Sequence, residues 1–292
     1  MKKDIKQEFE LLTGYSSYNP KKGDYWHSSI GKLRVKYKSN AESPFALSRG
    51  KVSEFLSCPR CFYFRTKHGL QAPGGPPFLI NSRIDALAKN EMDYIRFSEK
   101  YDIHPVFKEH NLNLKPFVPE NASDLKDWRD DSYRFLGITH LYEKYNFMLT
   151  GIIDDVMINE DGELVVIDFK ATSKKTNILT FKDVSYGTAY QMQLEWYKWL
   201  LEQKGYKVSS TAYLLYWNAD HSQEYLKENK VNFKRTLVEI NCDTSWVEDL
   251  IDDIFECLEQ DNPPEIKTKQ VKNKTKMTCD TCAFLNTYSK IV

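Results

Sequence analysis

With 292 residues the chain is long enough to bury one large core or two modest ones, and 14% aromatic with 28% charged residues excludes wholesale disorder. Lysine plus arginine number 41 and aspartate plus glutamate 41, so attraction to a polyanion must come from local patches and not from a whole-molecule field. No apolar run approaches the roughly 18 residues that span a bilayer, and the opening MKKDIKQEFELL lacks a signal peptide's hydrophobic stretch. The expectation is a cytoplasmic protein with no membrane partner, whose six cysteines stay reduced and serve metals or catalysis before disulfides.

Residues 1–43 are polar, rich in Tyr and Lys and weakly patterned. They predict an extension or peripheral strands beside a main domain over residues 44–292. Ser48 is set to cap a helix through Val52, Phe55 and Leu56. Ser57 and Pro59 then restart helical turns in CPRCFYFRTKHG, stopped by Gly69. QAPGGPPF reads as a turn-rich linker. Asn81 predicts the cap of a helix, SRIDALAKNEMDYIRF, with an apolar face of Ile84, Leu87, Ala88 and Ile95.

Next, NFMLTGIIDDVMINEDGELVVIDFK holds two β-type runs around EDG, a hairpin signal with Gly162 suited to positive φ. A helix over about 186–204 ends at Gly205. Strands follow near 211–217 and 236–240, then a helix capped near Asp243 or Thr244 and running to about Gln260. Strands and helices interleaved around one hairpin predict an α/β (α+β) fold, with a mixed central sheet flanked by helices.

The hairpin concentrates chemistry. If Glu160, Asp161 and Gly162 form its loop, Asn159 pairs with Glu163 and the register sets Asp154 opposite Asp168 on one face, Cβ atoms roughly 4.5 to 5.5 Å apart. Facing carboxylates repel unless a cation sits between them, and such pairs hold Mg²⁺. Lys170 projects to the same side, placed to meet a phosphate oxygen or a nucleophilic water. A one-residue slip would separate the aspartates. A DxK triplet by itself more often marks where a strand meets solvent. Gly151 suggests a lane left open for close approach of a substrate backbone.

GIID, a turn and ELVVIDFK resemble the second and third motifs of the PD-(D/E)XK nuclease superfamily, most of all its RecB-type branch, which includes CRISPR-associated iron-sulfur nucleases. There these motifs precede a helix carrying QxxxY. In AYQMQLEWYKWLL the match is Gln193 with Tyr197, on one helical face. The resemblance implies a restriction-endonuclease-like core over about residues 48–288. The branch supplies a histidine from an earlier helix as a further metal ligand, and NSRIDALA has Asp85 in its place. An oxygen ligand suits Mg²⁺ or Mn²⁺. Helical projection offers Glu91 as the alternative, in the middle of the apolar face where a carboxylate needs a partner.

Cys58 with Cys61 and Cys279 with Cys282 form two CxxC pairs, the spacing of a four-thiolate site that would clasp the two ends of the domain. Similar nucleases carry one cysteine before the core and three after it. Here the split is two and two, with Tyr288 near the position of the last. Four thiolates fit [4Fe-4S] or Zn²⁺, and the resemblance leans to iron-sulfur. Cys242 and Cys257, without CxxC partners, read as ordinary core or surface residues.

Lysines beside both motifs, Lys174 and Lys175 in KATSKK and Lys272 and Lys274 in KTKQVKNKTK, offer a track for nucleic-acid phosphates. Together these readings predict a Mg²⁺- or Mn²⁺-dependent nuclease of single- or double-stranded DNA in repair, recombination or defence. The alternative is a catalytically silent nucleic-acid-binding module with a structural metal clasp. No GxxxxGK[ST] phosphate loop is present, so helicase activity would come from a separate repair or defence partner.

Overall fold

The computed structural model describes residues 25–27, 31–33, 35–70, 72, 78–98, 102–120, 122–129, 137–271 and 274–291. Most of the predicted amino-terminal element and of the QAPGGPPF linker lies outside them, as does Lys272. The chain divides into two compact units. One comprises Pro76–His140 and Thr150–Val247, the other Met1–Gly75, Leu141–Leu149 and Glu248–Val292.

The first unit carries α1 (Leu79–Arg96), β1 (Lys115–Pro116), β2 (Asp155–Ile158), β3 (Leu164–Thr172), α2 (Gly187–Gln203), β4 (Thr211–Ala219) and β5 (Phe233–Asn241). Its strands form one mixed sheet in the order β5-β4-β3-β2-β1. The hairpin β2–β3 has the predicted register. Asn159 N–H donates to the Glu163 carbonyl at 3.0 Å, Ile158 faces Leu164 and Asp155 faces Ile167. Gly162 takes the loop's left-handed position at φ 71°. Strands β3 and β4 are parallel and therefore need a long crossover, which α2 supplies before ending at Gly205, φ 87°.

Alternation along β3 sends its side chains to two faces. Val165, Ile167 and Phe169 pack with Ala88 and Met92 of α1 and with Leu215 and Trp217 of β4. Asp168 turns the other way, to Gln193 of α2.

Several predicted details shift. Helix α1 starts at Leu79 with Phe78 at the cap and no side-chain cap bond; Asn81 lies inside the first turn, its amide donating to the Ala171 carbonyl at 3.4 Å. The buried stripe of α1 is Ala88, Met92 and Ile95, whereas Leu87 is 49% exposed. The helix expected to be capped near Asp243 or Thr244 starts at Val247, after a turn in which the Asp243 carboxylate accepts from Ser245 N–H and the Thr244 carbonyl from Val247 N–H.

Asp155, beside Asp154 and so pointing the opposite way, is fully buried. Arg96 meets one of its oxygens at 2.5 Å and Arg129 the other. Burial pushes this carboxyl up, and the two guanidiniums oppose the shift. This ion cluster ties the start of β2 to α1 and to the helix Ala122–Arg129.

The second unit contains the helix Arg49–Ser57, capped by Ser48 as predicted, the helix Pro59–Tyr63 and a π-helical turn stopped by Gly69 at φ 73°. An aromatic core joins Tyr37, Phe45 and Phe147, with Phe255 stacked on Tyr145 at 3.9 Å between ring centres. The hairpin Thr268–Val271 with Lys274–Met277 and the helix Asp280–Tyr288 complete it.

Candidate active site and four-cysteine centre

Because β2 begins only at Asp155, the edge of β3 beyond Ile167 has no strand on that side among the described residues, while β4 covers the other edge as far as Thr172. The Asp154 carboxylate fills part of the gap. Its Oδ2 accepts from Phe169 N–H at 2.9 Å, in place of a ladder bond, and its Oδ1 lies 3.0 Å from Lys89 Nζ. Lys89 reaches Asp85 Oδ2 at 2.9 Å, one helical turn back along α1. Asp168, 1% exposed, accepts at Oδ1 from Gln193 Nε2 at 2.6 Å. The same Gln193 nitrogen donates to Tyr197 Oη at 3.1 Å. Lys170 is ion-paired with Asp168 Oδ2, and its ammonium lies 4.6 Å from the centre of the Tyr190 ring.

The carboxylates strain against one another. Burial, reinforced by Asp154 and opposed by Lys170, pushes Asp168 up to about 7. Asp85 is raised too, by burial and then by Asp154. Burial works against the Lys170 ammonium, but Asp168 and Asp154 outweigh it and lift its pKa above the ordinary lysine value. The group opens on a cavity of about 510 Å³ whose walls include Asp85, Lys89, Arg129, Lys170, Tyr190 and Trp217.

Asp85, Asp154, Asp168, Lys170, Gln193 and Tyr197 are thus linked through hydrogen bonds, ion pairs and mutual electrostatics. Glu91 is elsewhere, its carboxylate 2.9 Å from His104 Nε2 and 3.2 Å from Arg235. The partner that its place on the helix demanded is this pair of side chains. Lys174 is pinned by Asn218, whose side chain bonds both its N–H and its carbonyl, and its ammonium meets the Asp183 carbonyl. Lys175 is exposed. Lys274 starts the second strand of its hairpin, where Lys269 and Lys276 are direct cross-strand partners. Lys89 went unread in the sequence, although Asp85 and Lys89 at i and i+4 on one helix were the signal for it.

The lane expected at Gly151 is filled by protein. A Cβ there would stand 2.9 Å from two ring carbons of Tyr197 and 3.0 Å from Leu200 Cδ1. The glycine therefore admits α2, and not a substrate, against the strand. Gly151→Ala is expected to cost about 1–3 kcal/mol by overpacking, read as a lower melting temperature; unchanged stability would show that the helix has room to move.

In the second unit each CxxC opens a helix. Cys58 is the N-cap of Pro59–Tyr63 and Cys279 that of Asp280–Tyr288, so the second cysteine of each pair falls in the first turn. Cys58 Sγ accepts from Cys61 N–H at 3.5 Å. All four sulfurs lie within 4.8 Å of one another; Cys61 is 3.7 Å from Cys279 and 3.6 Å from Cys282, and Cys58 is 3.7 Å from Cys282. Burial and the neighbouring thiols push Cys61 up, and burial likewise pushes Cys282 up to about 12. Four thiolates cannot coexist at this spacing without a cation, which is the donor set and the charge deficit of a thiolate metal site. Tyr288 is exposed, and Cys242 and Cys257 are both buried core residues.

Among solved structures, one titled "Crystal structure of SSO0001" is similar at 14% identity, covering 77% of this chain and 81% of its own, with a TM-score of 0.32. No curated protein matches. A family model for the PD-(D/E)XK nuclease superfamily matches residues 46–287, a span that includes the carboxylate hairpin, the Gln193–Tyr197 helix and both cysteine pairs. The chain belongs to the PD-(D/E)XK nuclease superfamily.

Proposed function

We propose that this protein is a Mg²⁺- or Mn²⁺-dependent deoxyribonuclease of the RecB-like branch, acting in the cytoplasm in DNA repair, recombination or defence. The observation that carries the reading is Asp168 Oδ2. This buried carboxylate oxygen is ion-paired with the Lys170 ammonium, has no other hydrogen-bond donor among the described residues, and has the Asp154 carboxylate beside its group. Asp154 and Asp85 offer further carboxylate oxygens of the kind a hard divalent cation takes; as placed, the three do not close on one point as the four sulfurs do.

A divalent cation held by Asp85, Asp154 and Asp168 would supply Lewis-acid polarisation of a phosphoryl oxygen and activation of water. The chain's own groups do the rest. Gln193 fixes the rotamer of Asp168, and Tyr197 in turn bonds Gln193. Lys170, oriented by Asp168 and by the Tyr190 ring, offers positive charge to the phosphate oxygens as negative charge builds on them. Lys174, Lys175, Lys272 and Lys274 are assigned to the DNA backbone, with a separate helicase or other repair or defence protein as partner.

For the cysteines we propose a single ion, on the three nearest sulfur pairs; the full set lies within 4.8 Å. A Zn–S bond of about 2.3 Å sets tetrahedral edges of about 3.8 Å, against the observed 3.6 to 3.7 Å for the nearest pairs. In a [4Fe-4S] cluster each thiolate binds a different iron, which spreads the sulfurs further apart.

The ligand set is tested by paired substitution. Asp85→Asn is expected to lower Mn²⁺-dependent DNA cleavage by about a hundredfold or more. Glu91→Gln should leave the cleavage rate within a few-fold and act on stability through His104 and Arg235. The reverse pattern would move the site to Glu91.

A further inference from the structure

Lys89 has no part in the hairpin or the QxxxY helix, yet it stands at the centre of the carboxylate group. Its ammonium bridges Asp85 Oδ2 and Asp154 Oδ1 at 2.9 and 3.0 Å, and its side chain is only 20% exposed. Fully ionised, as metal ligands must be, Asp85, Asp154 and Asp168 contribute three negative charges, and Lys89 and Lys170 two positive ones. One divalent cation turns that net charge of minus one into plus one, the complement of one phosphodiester. Two such cations would leave plus three.

We propose that Lys89 is a built-in cation that holds Asp85 and Asp154 together in the metal-free protein and competes with a single divalent ion for their oxygens. This rests on the assignment of those carboxylates to the metal, and it makes Lys89 a positioning residue. Lys89 and an incoming ion repel across a few ångströms of partly buried space, so the lysine weakens metal binding while it prevents the empty site from springing apart. On metal entry its flexible stem is free to swing into the cavity, whose wall it already forms. A second metal ion is then superfluous, because the lysine provides the remaining positive charge.

Mn²⁺ binding to the full chain, followed by electron paramagnetic resonance of the free ion, separates the possibilities without any cleavage assay. Lys89→Met is expected to bind Mn²⁺ about tenfold tighter than wild type, and wild type to bind one ion at the carboxylate site. Lys89→Arg, which keeps the charge, should stay near wild type. The metal-free Lys89→Met protein should melt lower than wild type, and saturating Mn²⁺ should close that gap. If Lys89→Met does not fold, Lys89→Gln replaces it with the same expectation. Unchanged or weaker Mn²⁺ binding in the neutral variants overturns the proposal, as does a stoichiometry of two in wild type. A wild-type protein whose Mn²⁺ binding is indifferent to Asp168→Asn would instead overturn the metal assignment itself, which is a distinct result.

Discussion

Asp168→Asn and Lys170→Ala are each expected to lower the rate of DNA cleavage by about a thousandfold or more while leaving the protein folded. Asp168 is the buried carboxylate on which the Gln193, Lys170 and Asp154 interactions converge. Asn keeps an oxygen for Gln193 but removes the charge. The stability effect has a definite sign. Asp168 titrates near 7 in the folded protein against an ordinary 3.8, so between those values the folded state holds a proton that the unfolded chain has released. Stability is full below about 4 and falls as pH rises to about 7. Asp168→Asn abolishes that loss, so the variant's stability in the absence of metal should lack the fall between about pH 4 and 7 that wild type shows. Loss of cleavage together with retained or increased stability identifies a functional charge. Cleavage near the wild-type rate in both variants would remove Asp168 and Lys170 from the mechanism.

The second large effect falls on the cysteines. Thiolate sites add folding free energy directly, since the unfolded chain holds no preformed site, and apparent values for structural zinc reach about 10 kcal/mol or more. Cys58→Ser, Cys61→Ser, Cys279→Ser and Cys282→Ser should each lower soluble yield and drop the melting temperature by about ten degrees or more. Purified wild-type protein should be colourless with about one tightly bound zinc. A brown protein whose visible absorption bleaches on reduction would restore the iron-sulfur reading. Cys242 and Cys257 are buried, so Cys242→Ala and Cys257→Ala will cost stability by ordinary core truncation, about 1 kcal/mol, but should leave metal content unchanged. Metal content, and not stability alone, therefore distinguishes the centre from the core. Six freely titratable thiols in the folded protein would show that there is no metal centre.

What could be read in the sequence was what short range determines. The EDG loop fixes how many residues separate the two strands, and period-two alternation does the rest, so the facing of Asp154 and Asp168 follows from local geometry. The CxxC spacing likewise places each pair across the first turn of a helix. Features set by distant neighbours stayed hidden. Gly151 looked like an opening because nothing local reveals that Tyr197 and Leu200 fill it. Glu91 looked like a ligand because projection on one helix cannot show His104 and Arg235 waiting on other segments. Asp155 gave no sign that Arg96 and Arg129 would bury it, and Asn81 looked like a cap because helix α1 begins two residues earlier, at Leu79. The lean toward iron-sulfur came from resemblance, while the gathering of the four sulfurs within 4.8 Å exists only in three dimensions.

The most direct measurement is cleavage by the purified wild-type chain of linear and circular, single- and double-stranded DNA, with Mg²⁺, with Mn²⁺ and with EDTA, alongside Asp168→Asn. Hydrolysis of at least one of these DNAs is expected with either metal, abolished by EDTA and absent from the variant. Protein that binds Mn²⁺ through Asp168 yet cleaves none of them, or cleavage that persists in EDTA or in Asp168→Asn, would contradict the account.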